Sequence, residues 1–148
     1  MREMQRSALV PYTPAQMFAL VDDVARYTEF LPWLSAAVEL ERTESERVGK
    51  LTLARAGMSE HFTTRNRVQP PNRLEMHLIE GPFKTLEGVW TFDPIVDTEG
   101  EPRGTRIGLT MRFEFKNRVT ELLLGSVFES SCDKLVDAFT KRARAVYG

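Results

Sequence analysis

Apolar positions along the chain follow two periods, and the switch from one to the other divides it into elements. Met4 to Val10 mixes polar and apolar residues as a strand does, after which Thr13-Pro14-Ala15-Gln16 carries the marks of a helix start. Thr13 can cap, Pro14 suits the first helical position and Gln16 can complete a capping box. Met17, Leu20, Val21 and Val24 then recur at the spacing of one helical face. A second helical turn is expected around Arg26 to Leu31, halted by Pro32, with Tyr27, Phe30 and Trp33 clustered beside it.

The middle of the chain changes to a period of two. Turn signals at Arg47-Val48-Gly49, Ala56-Gly57, Gln69-Pro70-Pro71-Asn72 and Glu80-Gly81-Pro82 separate successive strands, which predicts an antiparallel meander. Phe62, Thr64, Asn66 and Val68 share one face of their strand and leave His61, Thr63, Arg65 and Arg67 on a wet, basic one. Leu74, Met76 and Leu78 point together; so do Leu86, Gly88, Trp90 and Phe92, and then Ile107, Leu109, Met111, Phe113 and Phe115. These form one continuous apolar surface. The acidic stretch Asp97 to Gly104 is expected to be a mobile loop.

From Arg118 to Tyr147 the period returns to that of a helix, about 45 Å long at roughly 1.5 Å per residue. Leu124, Phe128, Cys132, Leu135, Phe139 and Val146 form its apolar stripe, with Glu129, Asp133, Asp137, Lys141 and Arg144 opposite. The pattern is strand, two short helices, six strands and one long helix, so a curved sheet grips that helix. A chain of 148 residues fits one domain, 1–148.

Composition removes several functions. The formal net charge of −1, from 20 basic and 21 acidic residues, gives no global field that would draw the chain onto DNA. Cys132 is the only cysteine, which excludes an internal disulfide and points to a reducing compartment. The first twelve residues lack the apolar run of a signal peptide, and no stretch approaches the roughly 18 apolar residues of a spanning helix, so a cytoplasmic location is expected. His61 and His77 lie on different strands at outward positions, which argues against a metal. Ser130 and Ser131 have no histidine nearby in sequence, the acids Asp22, Asp23, Glu39, Glu41, Glu44 and Glu46 read as solvated surface, and no glycine-rich phosphate loop occurs. Arg55, His61, Arg65 and Arg67 could form a local patch for RNA or an acidic protein, or simply a solvated face.

The unusual feature is the run of small residues Gly125, Ser126, Ser130 and Ser131 in the first half of the long helix. They leave either a filled core or a void beneath it, lined by Trp90, Phe113, Phe62 and Met76, and an apolar void binds apolar ligands.

Several motifs now resemble a known family. They are Ser7-Ala8-Leu9-Val10-Pro11-Tyr12, Asp23-Val24 with Tyr27, Phe30-Leu31-Pro32-Trp33, and Phe62-Thr63-Thr64-Arg65-Asn66. Gly81-Pro82-Phe83-Lys84 with Leu86-Glu87-Gly88 and Trp90, Phe113-Glu114-Phe115 with Asn117, and Ala138-Phe139 with Arg142-Ala143 and Val146-Tyr147 complete the set. Running nearly end to end, they resemble the START-like coenzyme Q-binding proteins of the polyketide cyclase/dehydrase superfamily, and among them the branch of bacterial ribosome-association toxins. The family commonly has proline after the tyrosine and cysteine after Phe-Leu-Pro-Trp, where this chain has Thr28 and Leu34.

The resemblance implies an α+β helix-grip fold in which about seven strands wrap a long C-terminal helix. It also implies two functions. One is non-catalytic binding of a polyprenyl quinone such as ubiquinone, as a bound ligand and not a cofactor, in support of respiration, with transient contact at the inner membrane's periphery. The other is binding of the large ribosomal subunit to block subunit joining; a cyclase- or dehydrase-like enzyme ranks last for want of an acid and base. The balanced charge favours the quinone. The cavity is expected to be lined by Phe30, Leu31, Trp33, Phe62, Met76, Phe83, Leu86, Trp90, Phe113, Phe128 and Leu135, and a ribosome contact to use Arg55, Arg65 and Arg67.

Overall fold

A computed structural model describes the whole chain except Ala56 and the side chains of Arg55 and Met58. Strand β1 (Arg2–Val10) is followed by helix α1 (Pro14–Asp22) and a 3-10 helix (Val24–Glu29). Six strands come next: β2 (Leu34–Arg42), β3 (Glu46–Arg55), β4 (Met58–Gln69), β5 (Arg73–Glu80), β6 (Phe83–Val96) and β7 (Pro102–Phe115). Helix α2 (Arg118–Tyr147) ends the chain. The seven strands form one antiparallel sheet in the order β1-β7-β6-β5-β4-β3-β2, so the two short helices carry the chain from one sheet edge to the other. The fold is the α+β helix-grip arrangement that the alternating pattern predicts.

Local chemistry sets the helix boundaries. Thr13 caps α1 by accepting from the Gln16 backbone N–H at 3.1 Å, while the Gln16 side chain accepts from the Thr13 N–H at 2.9 Å. Asn117 caps α2 through the Thr120 N–H at 2.8 Å. Gly104 is needed where β7 passes the end of β1, because a Cβ on it would sit 2.0 Å from the Val10 carbonyl oxygen and its φ is +138°.

Several expectations change. The second short helix is a 3-10 helix from Val24 to Glu29 and stops before Phe30, not at Pro32. The β2–β3 turn lies at residues 43–45, where the Thr43 hydroxyl accepts from the Glu46 N–H, so Arg47, Val48 and Gly49 are strand residues. Thr63 is buried instead of wet, beside the bulge where β5 carries one extra residue, Ile79, between the partners of Thr63 and Thr64. The stretch after β6 is a short turn, not a long mobile loop: the Asp97 carboxylate accepts from the Glu101 and Glu99 N–H groups and pairs with Arg103. Those bonds, that of Glu101 foremost, hold its carboxyl below the usual range. Val146 is exposed, outside the apolar stripe of α2. Asp22 is no surface acid: it pairs with the buried Arg47 at 3.1 Å and ties α1 to β3.

One hydrophobic cluster runs between sheet and helix. Leu124, Phe128, Cys132, Val136, Phe139 and Ala143 of α2 are buried, at the steps of three and four that make one helical stripe. Burying each of the larger ones contributes about 1.5–3 kcal/mol.

Candidate functional site

The stripe on α2 does not meet a uniformly packed sheet. Near Phe128, rings from three strands close the space: Phe83, Phe113, Phe62 and Phe115 lie with centroids 4.8, 4.9, 6.1 and 6.0 Å from it. One turn further, where Ser131 and Cys132 follow, a cavity of about 80 Å³ opens. That is room for roughly five to eight water molecules at about 10–15 Å³ each.

Of the expected lining residues, Leu31, Trp33, Phe62, Met76, Leu86, Trp90, Phe128 and Leu135 border this cavity. Phe30, Phe83 and Phe113 do not. Phe30 packs outside it, edge-on to Phe139 and under the Arg142 guanidinium, and Phe83 and Phe113 belong to the solid aromatic block. Sequence reasoning missed Val24 and Tyr27 of the 3-10 helix, Leu34 of β2, and Gly49, Leu51 and Leu53 of β3. It also missed Thr64 and Asn66 of β4, Met111 of β7, and Ser131, Cys132 and Phe139 of α2 as lining. Strand parity was signal enough for Thr64, Asn66 and Met111, which share inward faces with Phe62 and Phe113. The small residue that opens the space is Ser131; Ser126 is exposed and Ser130 half-buried, outside the lining. The half-buried Trp33, Leu51, Met76 and Leu135 mark the rim.

The wall is apolar apart from a few groups. The Tyr27 hydroxyl donates to the Val21 carbonyl, and burial, reinforced by Asp22 and Asp23, pushes it above its ordinary range. Burial likewise pushes the Cys132 thiol up to about 12, with Asp133 and Glu129 adding to the effect. Both keep their protons near neutrality. Ser131 Oγ donates to the Val127 carbonyl of its own helix at 2.7 Å, and Thr64 Oγ1 donates to Asn66 Oδ1 at 2.8 Å. The lining among the described residues includes no carboxylate, imidazole or cation, so it offers packing and hydrogen bonds.

On the outer face, Arg65 and Arg67 are exposed and share one partner, Glu46, at 3.1 and 3.4 Å. Half of that local positive charge is therefore offset; the Arg55 side chain lies outside the described residues. His61 and His77 are exposed on separate strands. No helix of the described residues is long and apolar enough to cross a membrane.

Comparison with known proteins agrees with this picture. The chain is 42% identical over 148 residues to the ribosome association toxin RatA of Vibrio cholerae, covering 100% of this chain and 99% of that one. It is 43% identical over 145 residues to RatA of Pseudomonas aeruginosa, covering 98% and 97%. A more distant relative, the mitochondrial coenzyme Q-binding protein COQ10 homolog B of Xenopus laevis, is 26% identical over 99% of this chain and 59% of its own length. Among solved structures, a protein of Thermus thermophilus superposes with a TM-score of 0.80 at 20% identity, covering 99% of this chain and 100% of that one. The Zhui aromatase/cyclase of Streptomyces gives 0.79 at 18%, covering 97% and 93%; at such identities these two share the fold alone. The family model for polyketide cyclase/dehydrase and lipid transport matches residues 10–140, and the chain belongs to that family.

Proposed function

We propose that the protein binds, without catalysis, a lipid with a compact polar head, of the polyprenyl quinone class, whose head enters the cavity beneath α2. The observation that carries this is an apolar void bordered by Trp90 and Leu53 and left open by Ser131 in an otherwise close-packed core. A void of about 80 Å³ takes the leading edge of the head, and the rest of the head and the isoprenoid tail lie along the rim of Trp33, Leu51, Met76 and Leu135. Such a ligand comes from a bilayer. Val119, Leu122 and Leu123 stand exposed beside Lys116 and Arg118 at the start of α2 and offer an apolar surface for transient contact. The relative named as a coenzyme Q-binding protein supports the ligand class. The reading is non-catalytic because the titratable wall groups, Tyr27 and Cys132, both hold their protons.

The test is a thermal melt with a short-chain ubiquinone, against a tail-less hydroquinone as control. At a hundred times the dissociation constant, a ligand that binds only the folded state adds about 2.7 kcal/mol, a plain rise in Tm. No shift with the tailed compound contradicts the reading.

A second reading, ribosome association in the cytoplasm, is favoured by the names of relatives more than 40% identical over nearly the whole chain. It would use the outer surface, with Arg55, Arg65 and Arg67 as phosphate contacts. Sucrose gradients with added protein test it: loss of joined ribosomes should weaken steeply with salt and with Arg65→Ala and Arg67→Ala together. Loss that persists in the double variant rejects this face as the contact.

A further inference from the structure

We infer that Thr64 and Asn66 recognise a neutral carbonyl oxygen on the ligand's head, which makes Asn66 the residue that sets head-group specificity. This rests on the reading of the cavity as a lipid site and adds the chemistry by which that site selects.

The starting point is an expense the fold did not require. The strand face that carries Phe62 and Val68 also carries Thr64 and Asn66, only 7% and 5% exposed, where two aliphatic residues would pack without desolvating an amide. An amide taken out of water without a partner destabilises the fold. The Thr64 hydroxyl gives its proton to Asn66 Oδ1 at 2.8 Å, which orients the amide and leaves both of its N–H bonds without an acceptor among the described residues. No fully enclosed side-chain polar atom among these residues lacks a partner, so the Asn66 nitrogen is open to the cavity that it lines.

The hydroxyl and thiol donors in the wall are engaged or weak, while the Trp33 and Trp90 indoles each bring a single N–H and no hydroxyl partner that orients them as Thr64 orients Asn66. Ser131 Oγ and the Tyr27 hydroxyl donate to backbone carbonyls, and the Cys132 thiol is a weak donor held protonated. Arg47 stands opposite Asn66 across the β3–β4 ladder, but its guanidinium is taken up by Asp22 and the Thr43 carbonyl. Asn66 thus offers two free protons on one amide that Thr64 holds in a fixed orientation. With the cation across the ladder, Arg47, already paired to Asp22, the amide matches a neutral acceptor and not a carboxylate or phosphate. An oxygen with two lone pairs and no proton of its own, such as a ring carbonyl, fits this fixed amide donor.

Two probes with the same tail separate the inference from the reading beneath it: decylubiquinone, with carbonyls, and decylbenzene, without. Wild-type protein should bind decylubiquinone about tenfold more tightly than Asn66→Leu does, the value of one good hydrogen bond in a dry site. Decylbenzene should bind the variant as well as, or better than, the wild type. Loss of both probes in equal measure, or of neither, overturns the inference and leaves the cavity as an unselective apolar site. Failure of the wild type to bind either overturns the reading on which it stands. Should Asn66→Leu fail to fold, the infrared carbonyl stretch of decylubiquinone bound to wild type decides: a shift to lower frequency than in hydrocarbon solvent supports the inference, and an unshifted band refutes it.

Discussion

Two neighbouring stretches of α2 face the same sheet with opposite results. Around Phe128, rings from β4, β6 and β7 interlock, and of these Phe83, Phe113 and Phe115 stand outside the cavity lining. Around Ser131 and Cys132, one turn on, Leu53, Trp90 and Met111 face a void. Side-chain volume is half of the difference, since a serine stands where a leucine would fill. Position is the other half: α2 packs closely on β1, β7 and α1 and stands away from the β3–β4 side of the curved sheet. A hollow therefore needs both a small residue and a stretch of sheet that curves out of reach.

The largest expected effect breaks the solid end. Phe113 is 1% exposed among aromatic rings, and Phe113→Ala should lower the unfolding free energy by about 3–5 kcal/mol in urea titration. Leu53, whose side chain already borders a void, should lose only the low end of the range when cut to alanine, about 2 kcal/mol. Equal losses at the two positions would erase the distinction.

Filling the hollow should act in the opposite direction. Ser131→Leu adds apolar surface where space exists and gives up only a hydrogen bond within its own helix, so it should raise stability by up to about 1.5–3 kcal/mol while abolishing ligand binding. A destabilised variant that still binds would mean the space lies elsewhere.

Cys132 sharpens the comparison through pH. Its thiol is pushed up to about 12 in the folded protein, against about 8.5 in an unfolded chain. The folded state therefore keeps a proton that the unfolded state gives up. The resulting stability is complete below about pH 8.5 and drains away as pH rises towards 12. Between about pH 7.5 and 10 the wild type should lose on the order of 2 kcal/mol more than Cys132→Ala does. Parallel pH profiles would show the thiol to be less buried than described.

Much of the fold was legible because strand and helix periods report which face is buried whatever lies beyond it. Thr13 with Gln16 marked the start of α1, and the stripe from Leu124 to Phe139 marked α2. The cavity was less legible. Phe113 and Leu86 point inward by parity and Phe83 through the register shift between Phe83 and Thr85, yet only Leu86 reaches the void, because inward direction does not say how far along a curved sheet a residue sits. The helix misled in another way: of Ser126, Ser130 and Ser131, Ser131 alone lines the space, because it falls three residues after Phe128 and four before Leu135 on the inward stripe. Asp22 read as surface because its partner, Arg47, is 25 residues away on another element.

The central claim can be read from the chain's own fluorescence, since its two tryptophans, Trp33 and Trp90, both line the cavity. Trp33→Phe leaves Trp90, 2% exposed, as the only reporter. Titrated with decylubiquinone, this variant should show quenching that saturates, and the added change Ser131→Leu should abolish it. Quenching that rises linearly without saturation, and equally with Ser131→Leu in place, would mean that the quinone meets the protein only by collision and that the cavity does not hold it.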